Sequence, residues 1–180
     1  MSRRRFSLLD AMILVAATAV GFGGIRICSP EFYSYQYTPI PPPPWLNWSA
    51  VVFSNWAFYL SPLPAAWTVA AVVFRLRSPR PPIRRLMRQP GAVASTAATM
   101  LILIGAAHFL LDLHNPSRHD VPFEYTSFSL GCGVGAAWLI LALSMRWRAE
   151  PSWVDRFGRV LGVYWIGMVP LIVFRTYGQI

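Results

Sequence analysis

The chain has 180 residues, of which 55% are hydrophobic and only 13% are charged. Ordinary soluble domains carry about a quarter charged residues, so this composition argues against a water-soluble domain and indicates a protein whose solvent is lipid. The net charge is +9, and all sixteen basic residues are arginine. Because the arginines are spread over several segments, nucleic acid is not an expected partner.

Five stretches approach the length of about 20 apolar residues that a helix needs to cross a bilayer. In chain order they cover residues 8–27, 48–74, 91–113, 123–145 and 157–174. Backbone amides in hydrocarbon must bond within their own segment, which favours helices. The sequence therefore predicts an all-α transmembrane helical bundle with five spans, in a single integral membrane domain over residues 1–180. In the second span, Pro62 and Pro64 predict a kink, with Ser61 able to satisfy a freed carbonyl.

The first span opens with a polar cap. Ser7 and Asp10 have the spacing of a capping box, and Asp10 lies near the positive end of the helix dipole. Because acids inside a membrane are functional candidates by default, a proton-carrying or ion-binding Asp10 is the alternative. Ser152 and Asp155 repeat the spacing before the fifth span, which favours the structural explanation.

The segment RRRFSLLD over residues 3–10, followed by an Ala/Val/Leu helix, resembles the opening of uncharacterised small multipass membrane proteins of planctomycete bacteria. The resemblance is confined to residues 1–25. It implies an integral membrane protein with a cytoplasmic amino terminus, and no activity. A cleaved signal peptide is the alternative for this segment, because Arg3–Arg5 precede an apolar run and Ala17–Ala19 offers small residues for cleavage. Cleavage leaves four spans.

The distribution of arginine predicts the orientation. Three segments that fall on one side of the five-span arrangement contain thirteen of the sixteen arginines. By the positive-inside rule these segments are cytoplasmic, so the amino terminus lies in the cytoplasm of a bacterial inner membrane and the carboxyl terminus in the periplasm. The run from Arg75 to Arg88 attracts anionic lipid, and a protein or nucleic-acid partner is the alternative. The opposite segments contain only Arg26, Arg118 and Arg175.

The predicted outer segment, residues 28–47, is rich in proline and aromatic residues. Its proline run favours an extended polyproline spacer, and its tyrosines and tryptophans suit the headgroup region. An interfacial lid on the bundle and a protein-recognition element are both compatible with this composition.

A histidine-rich stretch offers the one candidate metal site. His108 and Asp112 lie four residues apart on one helix face, and His114 and His119 follow. Imidazole and carboxylate ligands together suit a divalent transition metal. The alternative is the solvated end of a helix, since the stretch lacks the HExxH spacing of a metalloprotease. No catalytic residue and no resident cofactor are predicted.

Small residues mark predicted helix contacts. Gly131 with Gly135 and Gly158 with Gly162 allow close backbone approach, within the chain, in a homo-oligomer or against another membrane protein. The two cysteines, Cys28 and Cys132, lack CxxC spacing and are read as small apolar residues.

The expected function is that of a non-enzymatic accessory or structural component of the membrane, with the lipid bilayer as a partner. The alternative is a metal-dependent membrane enzyme or ion-handling protein that uses the histidine-rich stretch.

Overall fold

The structure is a computed structural model that describes residues 6–35, 53, 56–77, 82–112 and 123–177. Every regular element in these ranges is a helix, which confirms the all-α helical bundle. The helices are α1 (Leu8–Tyr35), α2 (Pro62–Leu76), the single turn α3 (Ile83–Leu86), α4 (Pro90–Asp112), α5 (Phe123–Leu143) and α6 (Trp153–Tyr177).

Four of these helices, α1, α4, α5 and α6, are long and apolar enough to cross a membrane. They correspond to the first, third, fourth and fifth predicted spans. The second predicted span, 48–74, differs, because α2 has 15 residues and a span needs about 20. Residues 56–60 are also helical, whereas residues 48–52 lie outside the described part of the chain.

The second predicted span is interrupted at Ser61. Pro62 is the first residue of α2, where a missing N–H costs no helical hydrogen bond. The Ser61 hydroxyl donates a hydrogen bond of 2.6 Å to the Phe58 carbonyl, and the Ala65 N–H donates to the Ser61 carbonyl at 3.1 Å. The helix is therefore interrupted at the position where the sequence predicts a kink. The Ser61 hydroxyl bonds to the Phe58 carbonyl, which Pro62 cannot reach with an N–H.

The helices alternate in direction, so that five of their ends meet. Helices α4, α5 and α6 pack against one another, α2 packs on α4 and α6, and α1 packs on α2. At one end of the bundle, α1, α4 and α6 begin and α2 and α5 finish. We call it the arginine end. Nine arginines of the described residues belong to it: Arg75, Arg77, Arg84, Arg85, Arg88, Arg146, Arg148, Arg156 and Arg159.

Glycines permit the closest helix contacts. A Cβ at Gly158 in α6 would lie 2.8 Å from the Ser95 Oγ of α4, and a Cβ at Gly131 in α5 would overlap the Trp165 carbonyl of α6. The predicted small-residue faces thus pack against helices of the same chain. The main core of buried side chains lies beside them and consists of Phe58, Ala94, Ala98, Leu130, Val134, Trp165, Met168 and Ile172.

Candidate functional site

The centre of the arginine end is the carboxylate of Asp155, in the first turn of α6. The side chain is fully buried. Its Oδ1 accepts hydrogen bonds from Arg75 Nη2 at 3.0 Å and from the Gly91 N–H at 3.1 Å. Its Oδ2 accepts one from the Glu150 N–H at 3.1 Å and lies 3.3 Å from Arg159 Nε. One carboxylate therefore joins α2, the start of α4 and the segment before α6.

Arg75 enters this centre from the last turn of α2. Its side chain is only 8% exposed, and its Nη1 donates to the Oε1 of Gln89, which is also buried. A buried charge is costly unless it is paired and hydrogen-bonded, and arginine does not lose its proton in proteins. Asp155 supplies the opposite charge, so the pair is retained only while α2 and α6 stay together.

A second ion pair ties α1 to the same end. The Ser7 N–H donates to Asp10 Oδ2 at 3.0 Å, and the Asp10 N–H donates to Ser7 Oγ at 3.2 Å. This reciprocal arrangement is the predicted capping box. Asp10 Oδ1 also accepts a hydrogen bond of 2.9 Å from Arg77 Nη1, in the residue that follows α2. Asp10 is thus both a helix cap and an ion-pair partner.

The predicted cap of α6 is used differently. The Asp155 N–H donates to Ser152 Oγ at 3.3 Å, as a capping box requires. The Asp155 carboxylate, however, accepts from the backbone N–H groups of Glu150 and Gly91 and pairs with Arg75. The identical spacing at the starts of α1 and α6 therefore serves two different networks.

Polar side chains also link the helices farther from the arginine end. The Trp165 indole of α6 donates a 3.0 Å hydrogen bond to the Thr68 hydroxyl of α2. The Trp67 indole of α2 donates one of the same length to the Thr18 hydroxyl of α1. Because hydrocarbon offers no alternative partner, such bonds hold neighbouring helices in register.

The histidine-rich stretch falls largely outside the described residues. His108 lies in α4 with an exposed side chain, and Asp112 is the last residue of α4. His114 and His119 are outside the described ranges, as are residues 36–47 of the outer segment. Among the described residues, no group of three histidine, cysteine, aspartate or glutamate side chains could hold a metal ion. The metal site remains a prediction.

The sequence places Arg75 in the basic run that attracts anionic lipid, whereas the structure buries it against Asp155. Sequence reasoning did not single out Gln89, and it assigned Asp155 to capping alone. One signal for Arg75 was available. Thr68 and Arg75 are seven residues apart, which places both on one face of α2, and this face contacts Trp165 and Asp155 of α6. A polar stripe at helical spacing in an otherwise apolar helix predicts a buried polar contact.

Helix length and composition define the class as a membrane protein with transmembrane helices. Comparison with protein-family models, curated proteins and solved structures finds no match for this chain.

Proposed function

We propose that this chain is a non-enzymatic accessory or structural component of a bacterial inner membrane, with its amino terminus in the cytoplasm and its carboxyl terminus in the periplasm. In this proposal it is a multipass protein that retains its first helix. The retained helix is supported by the ion pair between the buried Asp10 and the partly exposed Arg77, and by the hydrogen bond from Trp67 to Thr18. Both contacts join α1 to α2.

The observation that carries the proposal is the pairing of the acids at the arginine end. Among the described residues, the carboxylates there are those of Asp10, Glu150 and Asp155. Each forms an ion pair with arginine: Asp10 with Arg77, Glu150 with Arg85, and Asp155 with both Arg75 and Arg159. A carboxylate that accepts several N–H bonds and faces guanidinium groups is fixed in position by charge-assisted hydrogen bonds. This arrangement suits a rigid clamp between helices rather than a proton-transfer group.

The position of the same arginines supports the proposed orientation. Residues 75–77 and 82–88 are far from residues 146–159 in the chain, yet all of them lie at the arginine end. Concentration of arginine at one end of a helical bundle is what the positive-inside rule associates with the cytoplasm. Reporter fusions after residue 82 and after residue 148 test this point, and both are expected to report the cytoplasm.

The proposed function is tested by measuring whether the abundance of a partner protein depends on the amount of this chain. Crosslinking in native membranes first identifies the neighbouring membrane protein, whose abundance is then followed while expression of the chain is titrated in a deletion strain. A structural component restores its partner in proportion to its own amount. Full restoration by a few per cent of the native amount indicates catalytic turnover and contradicts the proposal. Recovery of the chain as a stable monomer with a bound small molecule and no neighbour contradicts it as well.

A further inference from the structure

Two separate basic segments meet at the arginine end. The Arg148 N–H donates a 2.8 Å hydrogen bond to the Arg88 carbonyl. Two residues farther along, Glu150 forms an ion pair with Arg85. These contacts hold the segment that contains α3 beside the segment that links α5 to α6. We call the surface formed by residues 83–88 and 145–148 the arginine junction.

The arginine junction contains guanidinium groups that the protein itself does not neutralise. Arg84, Arg88, Arg146 and Arg148 are exposed, and within the described part of the chain their side chains form no hydrogen bond or ion pair. The other junction arginine, Arg85, pairs with Glu150. Like charges held together without a counterion repel one another, so the junction favours an anionic ligand.

Exposed apolar side chains alternate with these arginines. Ile83, Met87 and Trp147 are exposed beside them, and Met145 is 94% exposed. Met145 has a left-handed backbone, with φ of 53°, at the point where the chain leaves α5. A free phosphate or a nucleic acid uses the charges but not these apolar groups. A phospholipid uses both, because its phosphate and its acyl chains are adjacent.

The position in the fold agrees with this chemistry. The junction directly precedes Pro90, where α4 begins, and directly follows Leu143, where α5 finishes. Both helices are candidate spans, so the junction lies at the height where a span leaves the hydrocarbon. The planar guanidinium group can donate two parallel hydrogen bonds to two oxygens of one phosphate, and a lysine ammonium group cannot.

We propose that the arginine junction binds the headgroup of an anionic phospholipid, with Arg88 and Arg148 on the phosphate and Met87, Met145 and Trp147 beside the acyl chains. This differs from the general attraction of basic loops to anionic membranes, because two segments of the chain together form one site. The proposed lipid site does not depend on whether the protein has an accessory role.

Native mass spectrometry of the full chain in nanodiscs tests the site. The nanodiscs contain phosphatidylcholine alone or with phosphatidylglycerol, and the readout is the amount of phosphatidylglycerol retained after release. Loss of one charge-assisted contact between an arginine and the lipid phosphate weakens binding by about tenfold. We therefore expect R88Q and R148Q each to reduce retention by about that factor, and R88K to reduce it less than R88Q because the charge remains but the fork is lost.

R156Q is the matched control, because Arg156 is exposed at the same end but lies in α6, outside the junction. It removes the same charge, and we expect retention to stay near the wild-type value. Equal losses in R156Q and R88Q would show general attraction and overturn the proposal. Unchanged retention in R88Q and R148Q would overturn it, and so would displacement of the lipid by millimolar inorganic phosphate, which would indicate a phosphate site. Circular dichroism verifies that each variant is folded.

Discussion

Replacement of Asp155 by alanine tests whether the buried ion pair holds the bundle together. The substitution leaves Arg75 charged and only 8% exposed, with no opposite charge at 3.0 Å. Removal of one partner from a buried ion pair costs about 3 to 5 kcal/mol. The N–H groups of Gly91 and Glu150 also lose their acceptor, and a buried donor without a partner costs about 1 to 3 kcal/mol. Since these losses are not additive, we expect D155A to lower the free energy of unfolding by at least about 3 kcal/mol.

The unfolding of the purified protein in mixed micelles, followed by tryptophan fluorescence as dodecyl sulfate is added, gives this free energy. R159A is the matched control, because Arg159 faces the same carboxylate at 3.3 Å from a side chain that is 34% exposed. An exposed helical pair at this spacing contributes about 0.3 to 0.5 kcal/mol. Because Asp155 is buried and Arg159 only partly exposed, we expect R159A to cost about 1 kcal/mol or less. The double variant R75M/D155L replaces both charges with apolar groups, and we expect it to be more stable than D155A because no buried charge remains unpaired.

Two results would refute this reasoning. A D155A protein within about 1 kcal/mol of the wild type would mean that Arg75 reaches water or another acid when Asp155 is absent, since an unpaired buried charge costs more than that. A double variant less stable than D155A would mean that the charges stabilise the fold through contacts other than their mutual pairing.

Three further predictions concern helix packing, polar contacts and metal. G158A is expected to destabilise the bundle by about 1 to 3 kcal/mol, because a Cβ there would overlap the Gly91 backbone carbonyl and meet Ser95 Oγ at 2.8 Å. G167A, in the same helix with nothing within 4 Å, is expected to be neutral or stabilising in the same unfolding assay. T68V leaves the buried Trp165 indole without its acceptor and is expected to cost about 1 to 3 kcal/mol, whereas T68S retains the hydroxyl. Elemental analysis of the wild type and H108A tests the metal hypothesis: a stoichiometric divalent metal that H108A loses supports it, and its absence from both contradicts it.

The long helices were predictable because each depends on a local property. A run of apolar residues must form a helix in hydrocarbon, and its ends follow where the apolar residues stop. The predicted stretch 91–113 accordingly differs from α4, Pro90–Asp112, by one residue at either end. For α6 the apolar pattern predicts a start at residue 157, whereas the helix begins at Trp153, because Ser152 caps polar residues that belong to its first turn.

The buried centre was not predictable to the same degree, because the spacing of Thr68 and Arg75 predicts a buried polar contact but not the acid that Arg75 or Arg77 pairs with. The two residues are separated by a single position at the end of α2, yet Arg75 pairs with Asp155 of α6 and Arg77 pairs with Asp10 of α1. Which acid each arginine contacts is decided by the helix that packs on each side of α2. That choice is a tertiary property, and the spacing of charges along one helix does not contain it.

The direction of each helix explains why the acids and the basic residues have the positions they do. Asp10 and Asp155 lie in the first turns of α1 and α6, where the helix dipole is positive, and Arg75 lies in the last turn of α2, where it is negative. Helix α2 runs antiparallel to α1 and α6. In each ion pair, the acid therefore lies at the positive end of its helix dipole and the arginine lies at the negative end of the dipole of α2. A variant that exchanges Arg75 and Asp155 would keep an ion pair between α2 and α6. It would, however, place the acid at the negative end of one helix dipole and the arginine at the positive end of the other. The pairing thus stabilises one relative direction of these helices, in addition to their contact.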